Sequence, residues 1–232
     1  MKIIKLYSKY FFSVSNVVII ILITLFLICS YLVSILNVNE TLSYESILCF
    51  YFENSIYYTK LIFVLLSSFL FMKLCNQKNE YVLNIVITAG YSKKSNYKFM
   101  IITNIIIITF VLLLSLFFYI LIGYVSKRFF YLKLNYIIGF FNVLLIAIYY
   151  GLFSYLLCKL FRNQFVYLLL IILYFISELF VSVENAFKYI YLYFFPNINN
   201  STGNLYVSWI YLILFIVLLY LINKSIYLNK DL

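Results

Sequence analysis

The chain has 232 residues, of which 66% are hydrophobic and 10% charged, with a formal net charge of +10 and no histidine. A water-soluble domain carries about 25% charged residues, so this composition excludes one and leaves room for about six membrane spans of roughly 20 residues each. The basic residues flank apolar runs instead of gathering in one patch, which argues against nucleic acid and follows the positive-inside tendency.

Residues 1–16 mix Lys2, Lys5 and Lys9 with Ile3, Ile4, Leu6, Tyr7, Tyr10, Phe11 and Phe12. That pattern predicts an amino-terminal interfacial helix, with lysines among anionic headgroups and aromatics beneath them. The apolar run 17–36 is too long for a signal peptide and ends without a small-x-small cleavage site, so it is expected to persist as the first span. Residues 37–59 hold Glu40, Glu45 and Glu53 and no basic residue, as an external loop does. The second span is expected at 56–74, with Lys60 snorkelling from its outer end.

Residues 73–98 make the longest connection expected on the cytoplasmic side. A helix over 80–89 places Glu80, Asn84 and Thr88 at i, i+4, i+8, one narrow polar stripe on an otherwise apolar girth. Gly90 suits a left-handed cap, and Ser92 suits the N-cap of the next helix. That helix carries Lys93, Lys94 and Lys98 into the third span, 99–125. Two readings fit the stretch: an amphipathic connector lying on the membrane, or a docking helix for a cytoplasmic partner.

Lys127, Arg128 and Lys133 then fall in an expected outer loop, against the charge rule. The fourth span is expected at 136–158, followed by a tight turn with Lys159 and Arg162 and a fifth span at 164–183. Glu178 comes 14 residues after Gln164, about 21 Å along a helix and short of the roughly 30 Å of hydrocarbon. A carboxyl at that depth calls for a partner, and Asn142 in the fourth span is the candidate, the plainer alternative being a Glu178 that sits among the outer headgroups. Residues 186–195 are almost wholly apolar and stop at Pro196, the only proline, which predicts an outer re-entrant segment. The sixth span, 205–222, returns to Lys224 and Lys230. Twelve of the 17 basic residues lie on the expected inner side, so both termini are expected in the cytoplasm of a cell-membrane protein.

Cys29, Cys49, Cys75 and Cys158 form no framework, because only Cys49 is expected on the oxidising side. Absence of histidine removes the commonest general base and disfavours a zinc site. The sole aspartate is Asp231, and no glycine precedes a lysine, so neither an aspartate pair nor a P-loop exists. The chain therefore reads as no enzyme, and any driving energy comes from a gradient or from another subunit. Glu178 alone could carry a proton in mid-span, and the halves show no repeat, which favours another subunit.

The order of parts resembles the type-2 exporter permeases of ABC transporters: a basic interfacial helix, six spans, a cytoplasmic helix between spans two and three, and an outer segment with a proline between spans five and six. Glu80, the turn 89–93 and Lys98 match the glutamate, small-residue turn and basic entry of that family. Asn84 and Ile85 stand where a Gly-Thr often occurs there. The resemblance implies an all-α permease that binds no cofactor itself. A separate cytoplasmic ABC ATPase would hold ATP and Mg, coupled through Glu80, Asn84, Thr88, Gly90, Lys93 and Lys94. A second permease copy or paralogue would complete the dimer among membrane lipids, exporting a peptide, drug or lipid; small permeases of this kind resemble bacteriocin-immunity systems. The other readings are an accessory membrane scaffold and a solitary gradient-driven carrier.

Overall fold

A computed structural model describes residues 13–36, 43–75, 90, 92–127, 134–161, 163, 166–181 and 205–229. These form six helices: α1 Val14–Leu36, α2 Tyr44–Lys73, α3 Lys93–Lys127, α4 Leu134–Phe161, α5 Val166–Val181 and α6 Leu205–Asn229. Five of them, all but the 16-residue α5, are long and apolar enough to cross a membrane. Of the interfacial helix predicted over 1–16, residues 1–12 lie outside the described residues while Val14–Asn16 open α1; the docking helix over 80–89 and the re-entrant segment over 186–195 also lie outside the described residues.

Local chemistry sets several helix starts. Ser13 accepts the backbone N–H of Asn16 at the head of α1, and the Ser43 hydroxyl accepts that of Ser46 at the head of α2. Ser92 does the same for Ser95 at 3.2 Å, while its carbonyl receives the first backbone bond of α3. Within the helices, hydroxyls fold back on the turn before them: Thr24 on Ile20, Ser34 on Ser30, Thr103 on Phe99 and Thr109 on Ile105. Hydrocarbon offers no hydrogen-bond partner, so a hydroxyl that bonds its own helix is the cheapest polar residue to carry there.

α2 runs antiparallel to α1 and to α3. Lys73 of α2 reaches Asn16 of α1 at one end, and Thr59 meets Tyr31 nearer the other. Asn104 of α3 donates to the Leu70 carbonyl, and Tyr51 donates to the Tyr119 carbonyl. α2 and α4 run parallel and share the most extensive contact in the bundle. Along it Ser154 donates to the Ser68 carbonyl, and Phe71 covers Gly151 so closely that an added Cβ would stand 2.6 Å from its ring. α6 runs parallel to α4, joined by Trp209 to Asn142 and by Asn223 to the Leu152 carbonyl.

α2 and α4 therefore form the centre, and α1 and α6 the flanks. Leu22, Leu25 and Phe26 of α1, and Ile210, Leu214 and Leu221 of α6, are more than half exposed. So much outward apolar surface is foreign to a protein in water but normal against acyl chains. The fold is that of an all-α integral membrane protein.

One boundary differs from the sequence reading. Residues 44–59, expected as an outer loop, belong to α2. The three glutamates suggested a solvated loop, but Tyr51 and Phe52 are buried against Tyr119 and Tyr136. Packing of these rings holds the turn helical. As a result Lys60 is not near the start of its helix: it lies in the middle of α2 and is only 5% exposed.

Candidate functional site

Two places in the bundle combine polar chemistry with a defined position. The first is the junction into α3. Gly90 has φ +91°, in the left-handed region that glycine alone enters without strain. Two residues later Ser92 caps α3, and Lys94 and Lys98 stand exposed on its first turns, with Lys93 partly exposed. A helix amino terminus already carries about half a positive charge, so Lys93 and Lys94 in the first turn each work against the dipole by roughly 0.3–1 kcal/mol. Anionic groups opposite the cluster, including lipid headgroups, would offset that cost. Glu80, Asn84 and Thr88, the remaining predicted coupling residues, lie outside the described residues.

The second is the buried polar interior. Thirteen described polar or charged residues are buried, among them Asn16, Thr59, Lys60, Asn104, Asn142 and Asn223. Most serve as ties between helices. The Asn104 and Asn223 amides each donate to a carbonyl of a neighbouring helix, at 3.2 and 2.9 Å. Tyr31 and Thr59 share a 2.8 Å bond. Around these lie two ring clusters. Tyr51 stacks on Tyr119 beside Tyr136 and Phe140 at one end, and Tyr97 sits among Tyr155, Tyr220 and Tyr227 at the other. The second cluster closes the end that bears Lys73, Lys93 and Lys159.

Lys60 stands apart from the ties, because it is a charge-bearing group. It lies 13 residues from Lys73, about 20 Å along the helix axis. An ionisable side chain at such depth is expensive in lipid and marks a functional position more often than a structural one. Sequence reasoning placed Lys60 near a span end and missed it, because its burial depends on helices far away in the chain.

The predicted pair Asn142 and Glu178 is only partly visible. Asn142 is fully buried, and its Oδ1 accepts the Trp209 indole N–H at 2.5 Å. Glu178 belongs to α5, but its side chain lies outside the described residues. Asn104 and Asn223 were passed over because single amides inside long apolar runs carry no spacing pattern.

Among the described residues no group of three or more cysteines and carboxylates could hold a metal ion. No protein-family model matches the chain, and no curated protein or solved structure is significantly similar to it.

Proposed function

We propose that the chain is the membrane-spanning permease subunit of an ATP-driven exporter, moving an amphipathic or hydrophobic substrate such as a peptide, drug or lipid. Both termini lie in the cytoplasm, α5 completes a sixth crossing, and a separate ABC ATPase supplies the energy. The observation that carries the reading is the junction from Gly90 to Lys94. A left-handed glycine ends the 76–89 connection, and a capped helix begins at once with lysines set against its own dipole. That geometry suits a segment that presses on an acidic or otherwise anionic surface and passes its movement directly into a long span.

The test is copurification of the ATPase, together with its substrate-stimulated ATP hydrolysis. Glu80→Ala with Asn84→Ala should weaken both at normal membrane insertion, since removing a desolvated charge contact costs about 2–5 kcal/mol. Gly90→Val should do likewise, because a β-branched residue resists positive φ. Full coupling in both variants would show that the stretch is a connector.

A second reading, a solitary gradient-driven carrier, is favoured by one observation, the buried mid-helix Lys60. In reconstituted vesicles without an ATPase, that reading expects transport to follow an imposed proton gradient and to disappear in Lys60→Met. The exporter reading expects no gradient-driven transport at all.

A further inference from the structure

The parallel packing of α2 on α4 brings together two thiols that the chain order keeps 83 residues apart. On α2 the contact face steps through Ser68 and Phe71 to Cys75 in the turn just past its end; on α4 it steps through Gly151, Ser154, Tyr155 and Cys158. Cys75 Sγ lies 3.9 Å from the Tyr155 carbonyl, one turn before Cys158, and the two thiols are neighbours. Cys158 is 4% exposed, whereas Cys75 is partly open. None of the four cysteines is bridged, and the other two are elsewhere: Cys29 is exposed on α1, and Cys49 is exposed at the opposite end of α2.

We propose that Cys75 and Cys158 are a dithiol–disulfide modification site, which a hydroperoxide closes and a small thiol reopens. The partly open Cys75 thiolate attacks a peroxide oxygen, breaking the O–O bond and releasing one water or alcohol as it becomes a sulfenic acid. The buried Cys158 thiolate then attacks that sulfur, forms the S–S bond and expels the sulfenic oxygen as water. Two thiols lose two electrons and two protons, and the peroxide takes up both. A thiol pair on the reducing side is expected to rest reduced, so the bridge forms only under an oxidant. It would tie α2 to α4 at the residue from which the 76–89 connection departs. The assignment rests on the α2–α4 contact alone and stands whether or not the chain is an exporter.

The experiment treats the full chain in membranes with hydrogen peroxide, then alkylates and maps it. The expected result is an intact mass lower by two hydrogens, loss of two of the four alkylatable thiols, and a linked pair of peptides holding Cys75 and Cys158. Dithiothreitol should restore all four thiols. A chain with Cys29→Ser and Cys49→Ser should behave the same, and Cys75→Ser or Cys158→Ser should form no link. Mapping the wild-type chain decides the matter even where a variant at buried Cys158 fails to insert. Three results overturn the proposal: a Cys75 sulfinic acid beside a reduced Cys158, a Cys75 link between two chains, or two fully alkylatable thiols after treatment.

Discussion

At the scale of single residues, the interior is held by polar groups that are each cheap to keep and costly to orphan. Asn142 illustrates this. Its Oδ1 is matched by the only tryptophan, and the pair is one of two polar ties between α4 and α6, the other running from Asn223 to the Leu152 carbonyl. Lipid tails are as apolar as leucine, so helix association within a membrane gains little from burial and depends on packing and on such bonds. A double-mutant cycle over Asn142→Leu and Trp209→Phe should give a coupling of about 0.5–2 kcal/mol in a denaturation assay in micelles. Additive effects would show that the bond contributes nothing. Lys60 obeys a different rule, because a buried ionisable side chain is expensive in lipid and is retained where a function or its surroundings call for it.

At the scale of elements, the α2–α4 contact governs the rest. At Gly151 the fully buried Phe71 ring occupies the space that a side chain would take. Gly151→Leu should destabilise by about 1–3 kcal/mol through overpacking, and Phe71→Ala in the same chain should recover part of that loss. The measurement is the thermal midpoint of the purified protein, with Gly151→Leu lower than wild type and the double variant above the sum of the singles. If Gly151→Leu melts as wild type, the helices do not meet there. The same contact makes the thiol pair adjacent, so the peroxide experiment and this one test one register independently.

At the scale of the whole molecule, orientation follows from the lysines. Lys73, Lys93, Lys94, Lys98 and Lys159 collect at one end of the bundle, where Tyr97, Tyr155, Tyr220 and Tyr227 cluster, and Lys159 lies 5.7 Å from the Tyr155 ring. If that end is cytoplasmic, an impermeant thiol reagent added to intact cells should modify the exposed Cys49 and leave Cys75 untouched until lysis. Labelling of Cys75 before lysis would invert the protein, and the exporter proposal would lose its docking face.

Much of this was legible in the chain itself. A composition this apolar, cut into runs of about 20 residues by lysines, dictates helices in lipid, because only a helix satisfies its own backbone there. The cap at Ser92 and the turn at Gly90 were equally readable, since both depend on one or two neighbouring residues. What the tertiary structure decided was everything that depends on a partner from another helix. The start of α2 moved to Tyr44 because Tyr51 and Phe52 bury against α3 and α4. That extension carried Lys60 into mid-helix. Asn142 found Trp209, 67 residues away, and Cys75 came beside Cys158. Local pattern sets which segments become helices; which faces meet is settled by the fit of side chains such as Phe71 against Gly151, and no window of sequence contains both.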